Sequence, residues 1–189
     1  VTGVQTCALP ICTLFLRSTF TGNHTLVDAG DCPFYWWNED VWVGGGAIFS
    51  LYNTITTVSS KFANNTSLWA GGAIASLESI YSYSSTYTGN RAYAGGGALY
   101  QDDNYLYLYE GNVLKRNYSI SGGGFWADNV YVDAVNIFSG NVSSWTDSGA
   151  RADGGWADGC SDIRVPDVIS GYWDGPVFHN GSQSMYGGC

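Results

Sequence analysis

The residues of this chain that could perform chemistry are mainly aspartates. Asp102 and Asp103 are adjacent, and a looser series follows at Asp147, Asp153, Asp158 and Asp162. Loop carboxylates among glycines can hold a calcium ion, and a pair of carboxylates can act as acid and base in glycoside hydrolysis. The sequence has neither the EF-hand spacing nor a nonapeptide calcium repeat, so solvated turns are the favoured interpretation. We therefore predict no cofactor, and calcium remains the one alternative.

No other group of side chains supports catalysis. The chain has only two histidines, His24 and His179, and no basic cluster that would suit an anionic sugar. A nucleophile beside a base and a phosphate-binding glycine motif are also missing. The sequence thus predicts no catalytic residues. The alternative is a polysaccharide-active enzyme of the lyase or glycoside hydrolase type, with Asp102 and Asp103 as its best candidates.

Asparagine sequons form a second group of candidate sites. The Asn-x-Ser/Thr pattern occurs six times, at Asn23, Asn64, Asn65, Asn117, Asn141 and Asn180. In a secreted eukaryotic protein these asparagines could carry glycans, and we take Asn64, Asn65, Asn117 and Asn141 as candidate acceptors. Alternatively, the asparagines point inward and belong to the fold. The second interpretation is favoured for all except Asn64.

Aromatic side chains form two candidate binding surfaces. One is the segment "CPFYWWNEDVWV" at residues 32–43, which contains Trp36, Trp37 and Trp42. The other is the alternating run at residues 105–109, which contains Tyr105, Tyr107 and Tyr109. The repeat described below places Tyr81, Tyr83 and Tyr100 in neighbouring rungs, where they could extend the same aromatic surface. Exposed aromatic rings bind sugars and partner proteins well. The alternatives are a covering loop for the tryptophans and ordinary sheet packing for the tyrosines.

Composition and charge limit the class of protein. Of 189 residues, 26 are glycine, 16% are aromatic and only 12% are charged. A chain this poor in charge and rich in aromatics can bury enough apolar surface to fold. The net charge of −9 disfavours nucleic acids and anionic membranes as partners. The sequence has no apolar run long enough for a membrane-spanning helix, so we expect any membrane attachment to come from regions outside this chain.

The two ends of the chain and the cysteines need separate treatment. Residues 1–11, "VTGVQTCALPI", resemble a translated sequencing adapter, so we exclude them, and Cys7 with them, from the fold. Cys12 lies at the junction. The remaining cysteines allow a Cys32–Cys160 or a Cys160–Cys189 disulfide, and no zinc-binding spacing occurs. We expect residues 12–189 to be one domain fragment, incomplete at both ends.

The elements that must position these residues follow from a repeat. A glycine pair recurs every 25 to 33 residues, and an apolar residue followed three positions later by asparagine recurs with it. The pairs are Gly45-Gly46, Gly71-Gly72, Gly96-Gly97, Gly123-Gly124 and Gly154-Gly155, and the asparagines are Asn23, Asn65, Asn90, Asn117, Asn141 and Asn180. Such a period is typical of a solenoid. An insertion at about 24–43 and irregular spacing at about 142–189 interrupt it.

The residues between these markers favour strands. Stretches such as "NTITTVSSKF" and "NYLYLYEGN" alternate and are rich in β-branched and aromatic residues. Three short strands and three turns fit into each repeat, which predicts an all-β chain, coiled as a parallel β-helix of rungs of about 25 residues. The glycines then occupy crowded corners, and the asparagines stack as a hydrogen-bonded ladder.

These two motifs also resemble a known family. "GGAI" at 45–48 and 71–74, each followed by Phe or Tyr-x-x-Asn, is similar to the repeat of the chlamydial polymorphic outer-membrane proteins. Leu114 and Val177 depart from the aromatic position. The resemblance implies a right-handed β-helix displayed on a cell surface or secreted, with adhesion as its function and no catalytic residues. We therefore expect an extracellular adhesive or structural stalk, whose partners are cell-surface glycans, proteins or neighbouring subunits.

Overall fold

The computed structural model describes residues 13–25, 44–132 and 136–144 together with the backbone of four strands between residues 151 and 188. Within this part of the chain every regular element is a β-strand, and most strands pair in parallel. The all-β prediction and the parallel solenoid are thus confirmed, with about 4 turns of about 26 residues. Residues 32–43 with their tryptophans lie outside the described residues.

Each turn of the coil contributes three or four short strands. The first, incomplete rung has β1 (Thr13–Leu16), β2 (Thr19–Thr21) and β3 (His24–Thr25). The second has β4 (Ile48–Ser50), β5 (Ile55–Val58), β6 (Lys61–Ala63) and β7 (Thr66–Ser67). The third has β8 (Ile74–Ser76), β9 (Ile80–Tyr83), β10 (Thr86–Thr88) and β11 (Arg91–Ala92).

In the next two rungs the first two strands join into one long strand. The fourth rung has β12 (Leu99–Tyr109), β13 (Val113–Lys115) and β14 (Tyr118–Ser119). The fifth has β15 (Phe125–Val132), β16 (Ile137–Ser139) and β17 (Val142–Ser143). The chain then leaves the coil pattern with β18 (Arg151–Cys160), β19 (Gly171–Asp174), β20 (Val177–Asn180) and β21 (Gln183–Gly188).

Equivalent strands stack into three faces. The first face contains β1, β5, β9 and the second halves of β12 and β15. The second face is the five-stranded sheet β2-β6-β10-β13-β16. The third face contains β3, β7, β11, β14 and β17. A further stack, of β4, β8 and the first halves of β12 and β15, lies between the glycine corner and the first face. Side chains on all these strands alternate between the interior and the surface.

Each face ends at a corner with a left-handed residue. The first corner, between the first and second faces, has φ of 47 to 80° at Arg17, Ser59, Ser84, Glu110 and Gly111. The second corner, between the second and third faces, has φ of 55 to 65° at Gly22, Asn64, Gly89, Arg116 and Gly140. The glycine corner leads back to the first face and has φ of 61 to 79° at Gly45, Gly71, Gly96 and Gly122.

The second residue of the glycine corner is restricted for a different reason. A methyl group added at Gly97 would overlap the carbonyl oxygen of Gly123 and the backbone of Tyr118. Two neighbouring rungs therefore approach here more closely than any side chain allows. The glycine pair thus combines a left-handed residue with a close contact between backbones.

The glycine corner that opens the fifth rung lies one residue earlier in the chain than the sequence spacing predicts. Leu99 pairs with Phe125, and the left-handed residue is Gly122, so Gly122-Gly123 is the corner pair. The prediction that Gly124 belongs to this pair is wrong; it takes the position that Ala98 has in the preceding rung. Three consecutive glycines made both registers compatible with the sequence, and the apolar Phe125 decides between them because it must face the core.

The glycine pair predicted at residues 154 and 155 is not a corner. Gly155 lies within β18 and pairs with Phe125, whose side chain points into the core of the fifth rung. β18 also runs antiparallel to β17, and β19, β20 and β21 are joined by antiparallel pairs. β18 nevertheless stacks in parallel on β15, and β21 in parallel on β18. The parallel stack therefore continues on this side of the coil, while antiparallel pairs interrupt the regular turns after the fifth rung.

The core consists of inward side chains stacked in columns. One column contains Phe20, Phe62, Tyr87, Leu114 and Phe138, in register from rung to rung. The rings of Phe62 and Tyr87 are stacked with centroids 5.0 Å apart, and those of Phe20 and Phe62 with centroids 4.9 Å apart. Leu114 fills the same position without an aromatic ring and is fully buried. Such stacks provide dispersion and apolar burial along the whole coil.

Candidate functional site

The asparagines of the repeat form one continuous ladder just after the second corner. We call Asn23, Asn65, Asn90, Asn117 and Asn141 the asparagine ladder; all five are buried. The Oδ1 of Asn90 accepts from both the backbone N–H and the Nδ2 of Asn65, at 3.0 and 2.9 Å. The same pair of bonds joins each consecutive pair of the ladder. Their amides are thus committed to the fold.

A second ladder, which the sequence did not reveal, follows the first corner. We call Ser18, Ser60, Ser85, Asn112 and Asn136 the mixed ladder. Here too the backbone N–H of one rung donates to a side-chain oxygen of the next, at 2.8 to 3.1 Å. The residue type changes from serine to asparagine along the column, so no motif repeats. The only sequence signal would have been a small polar residue five positions before each ladder asparagine.

Two core hydroxyl groups connect the mixed ladder with the aromatic column. Thr57, Ser82 and the Tyr87 hydroxyl contact one another at 2.8 to 3.0 Å inside the coil. Ser82 also donates to the Oδ1 of Asn112 at 2.7 Å. Burial raises the pKa of Tyr87 to about 12, and its hydrogen bonds to Ser82 and Thr57 act in the opposite direction. This network is structural, since all of its members are fully buried.

The tyrosines of the first face form an outward cluster. Tyr107 lies between Tyr81 and Tyr131, with ring centroids 4.4 and 5.0 Å away and nearly parallel planes. Tyr109 lies against Tyr83, and Tyr105 contacts both Tyr107 and Tyr131 at 5.7 Å. We call these six residues, Tyr81, Tyr83, Tyr105, Tyr107, Tyr109 and Tyr131, the tyrosine face. Tyr131 had not been expected in it.

The stacking determines what the tyrosine face can bind. Both ring faces of Tyr107 are covered by its neighbours, so a sugar ring cannot stack on them. The face instead offers ring edges and hydroxyl groups. Partial burial, and then the charge of Tyr81 and a hydrogen bond with it, raise the pKa of Tyr107 to about 12.

Tyr100 is not part of the tyrosine face, which corrects the sequence prediction. It lies on the first half of β12 and is only 7% exposed. Its ring stacks on Trp126 at 4.7 Å and lies in a small apolar cluster with Ala70 and Ala75. This cluster covers the outside of the glycine corner, where Gly95 leaves room for the ring of Tyr100.

Asp102 and Asp103 do converge with a third carboxylate. Ligand oxygens of Asp102, Asp103 and Asp128 all lie within 4.8 Å of one another, and they are the one such group among the described residues. We call them the aspartate trio. The third member comes from the next rung, where its Oδ2 accepts from the backbone N–H of Asp103 at 2.8 Å. An irregularity in the pairing of β12 with β15 between Gln101 and Tyr105 brings the trio together.

The aspartate trio has the electrostatics of crowded carboxylates. The pKa of Asp102 is raised, first by desolvation and then by the charges of Asp128 and Asp103. The buried Tyr100 hydroxyl donates to Asp102 at 3.2 Å, and its own pKa is raised by burial and by these carboxylates. The residues offer oxygen ligands of the kind that calcium takes. Within the described rungs, no histidine, lysine or arginine side chain forms a hydrogen bond with the aspartate trio.

Several predicted residues fall outside the described side chains. These are Trp36, Trp37, Trp42, all five cysteines, Asn180 and the carboxyl-terminal aspartates.

Comparisons with protein-family models, with curated proteins and with solved structures found no match. Among the described residues no helix could cross a membrane.

Proposed function

We propose that this chain is part of an extracellular β-solenoid that acts as an adhesive surface or structural stalk, related to the polymorphic outer-membrane protein repeat. The observation that carries the proposal is the tyrosine face. Six tyrosines on three successive rungs lie on one side of the coil, and their stacking holds the hydroxyl groups in a fixed array. An ordered array of this kind loses little conformational entropy when it binds.

Charge defines the ligand that suits this surface. Asp103 precedes the tyrosine run and Glu110 follows it, and both are exposed. The chain as a whole has a net charge of −9. Sulfated and uronic-acid glycans would be repelled, so we propose neutral or amino-sugar glycans as ligands, bound through hydroxyl hydrogen bonds.

Binding of the full chain to an array of neutral, amino and acidic glycans tests this proposal. Tyr107→Phe removes a hydroxyl and keeps the ring stack, so a loss of about fivefold in affinity is expected for one hydrogen bond. Thr86→Val, on the second face, is the matched control and should bind normally. If no neutral or amino glycan binds, or if Tyr107→Phe binds like the parent, the adhesive role is excluded and a spacer role remains.

The aspartate trio favours a second candidate function, a polysaccharide-active enzyme. A carboxyl group with a raised pKa can act as a general acid, and a neighbouring carboxylate can act as base or nucleophile. Incubation of the full chain with neutral polysaccharides, followed by an assay of new reducing ends, tests this function. Cleavage that Asp102→Asn abolishes would support it. Absence of cleavage, or cleavage that survives this substitution, would exclude the trio as an active site.

A further inference from the structure

At the second corner, one sequon differs from the other sequons whose side chains the structure describes. Asn64 occupies the left-handed position of the corner, with φ of 55°, and its side chain is exposed. Asn65, the next residue, is fully buried in the asparagine ladder. The two overlapping sequons therefore present one amide to solvent and the other to the core.

The buried sequons cannot accept a sugar in the folded chain. Asn65 uses its Nδ2 for two hydrogen bonds, to Asn90 Oδ1 at 2.9 Å and to the carbonyl of Phe20 at 3.2 Å. Asn117 likewise donates to Asn141 and to the carbonyl of Tyr87. Replacing one amide hydrogen by a sugar would remove a bond and place the sugar inside the coil. Asn23 and Asn141 are also buried in the ladder.

Asn64 has the opposite orientation. Its Oδ1 lies over Gly89, at 2.6 Å from where a Cβ atom of that residue would be, while the Nδ2 is more than 4 Å from the same point. The amide oxygen thus faces the next rung, and the nitrogen faces away from it. Thr66, which completes the sequon, lies on the third face with its side chain partly exposed. Both parts of the sequon are accessible together.

We infer that Asn64 is the N-glycosylation site of the described rungs and that the ladder asparagines stay unmodified in the folded protein. The donor is a lipid-pyrophosphate-linked oligosaccharide. The bond between the sugar C1 and the phosphate oxygen breaks, a bond from C1 to Nδ2 forms, the lipid pyrophosphate leaves, and one amide proton is released. The inference rests on the extracellular location proposed above, but an imposed glycosylation reaction tests it independently of that location.

The experiment compares folded and unfolded chains as acceptors. The full chain, produced without glycosylation, is incubated with a single-subunit oligosaccharyltransferase and the lipid-linked donor, and the occupancy of each sequon is measured by peptide mass spectrometry. In the folded chain, occupancy of Asn64 should exceed that of Asn65, Asn117 and Asn141 by at least about tenfold, because the ladder must open first. In urea-unfolded chain this difference should disappear.

Two variants make the test specific. Asn64→Gly supplies the residue that the same corner has at positions 22, 89 and 140, so the fold is retained and the glycan should be lost. Adding Gly89→Asn and Arg91→Thr to it transfers the sequon one rung along the same corner, and the glycan should move to position 89. Thermal unfolding of each variant establishes that it is folded.

The results that would overturn the inference are distinct. Occupancy of Asn65, Asn117 or Asn141 equal to that of Asn64 in the folded chain would contradict the protection by the ladder. Failure to modify Asn64 in a folded chain would contradict its accessibility. Either result would leave the adhesive function open, since the glycan array is read independently.

Discussion

The two ladders perform the same task at two corners of the coil, with different residues. In both, the residue after a left-handed corner turns inward and its side-chain oxygen accepts the backbone N–H of the preceding rung. The asparagine ladder uses one residue type in all five rungs. The mixed ladder uses serine in three rungs and asparagine in two. The geometric requirement is therefore weaker at the first corner than at the second.

The reason lies in the additional donors of asparagine. In the asparagine ladder the Nδ2 also donates to a carbonyl of the preceding rung, as Asn90 does to Phe62 and Asn141 to Leu114. The serines of the mixed ladder donate to a carbonyl two residues before them in their own rung. Ser60 also donates to the carbonyl of Phe15 in the preceding rung, at 3.1 Å. Asparagine thus links rungs through its acceptor and two amide hydrogens, whereas serine has one hydroxyl hydrogen to share between its own rung and the preceding one.

Removal of a ladder asparagine should have the largest effect. Asn90→Ala leaves the buried backbone N–H of Asn65 without its acceptor. It also removes one of the two bonds of the Asn65 Nδ2 and the bond from Asn90 to the carbonyl of Phe62. We expect the free energy of unfolding to fall by about 3–5 kcal/mol. Urea unfolding followed by circular dichroism measures it.

The control for this substitution is Thr88→Ala, two residues earlier on the outward side of β10. It should change the free energy of unfolding by less than about 0.5 kcal/mol, as surface substitutions do. If both variants lost the same stability, the ladder would contribute no more than an ordinary surface residue.

Serine should be tolerated better in the mixed ladder than in the asparagine ladder. Asn117→Ser removes the bonds to Asn141 and to the carbonyl of Tyr87, and we expect a cost of about 3 kcal/mol. Asn112→Ser reproduces a residue that the mixed ladder already has in three rungs and keeps a side-chain oxygen as acceptor. We therefore expect a cost of about 1–2 kcal/mol, although the Nδ2 bonds to the carbonyls of Ser82 and Tyr109 are lost. Equal costs in urea unfolding would show that the two corners impose the same requirement.

The sequence predicted the fold because most of its repeated features arise from stacking. Positions above one another in a coil need the same geometry, so a glycine corner or an asparagine ladder recurs at one period and becomes visible. The mixed ladder could not be predicted from the sequence, because a serine or an asparagine oxygen can accept the backbone N–H of the preceding rung and no single residue type recurs. The register at Gly122 was missed because a run of three glycines does not identify which one has the positive φ.

The candidate sites were less predictable from the sequence. Alternation placed the tyrosines outward, but it could not reveal that their ring faces close against one another, since that depends on the register between rungs. It also placed Tyr100 with them, although the residue lies on the other half of β12 and packs on Trp126. The pairing of Asp128 with Asp103 depends on a local irregularity in the ladder of β12 and β15, which no sequence pattern announced.

Truncation of a mixed-ladder serine should have a smaller effect than the asparagine substitutions. Ser85→Ala deprives the backbone N–H of Ser60 of its acceptor at 3.1 Å and also removes the local bond from Ser85 to the carbonyl of Tyr83. A loss of about 1–1.5 kcal/mol is expected, close to the value of one buried hydrogen bond. A loss as large as that of Asn90→Ala, measured in the same urea titration, would contradict the weaker role assigned to this corner.

The smallest effect is expected where the mixed ladder joins the core. Tyr87→Phe removes a hydroxyl, but Thr57 still donates to Ser82, and Ser82 still donates to Asn112, so a cost of about 1 kcal/mol is expected at neutral pH. The pH dependence is more informative. Because the pKa of Tyr87 is raised from 10.0 to about 12, the folded chain keeps the proton in a range where the unfolded chain releases it.

The stability that this proton provides is complete below pH 10 and is lost as the pH rises from 10 towards 12. Tyr87→Phe should therefore unfold less steeply with pH in this range than the parent, while the two curves run parallel below pH 9. Thermal unfolding at intervals of half a pH unit measures both slopes. Identical slopes above pH 10 would mean that the hydroxyl is not held in the buried network, and that the mixed ladder is no more connected to the core than the asparagine ladder.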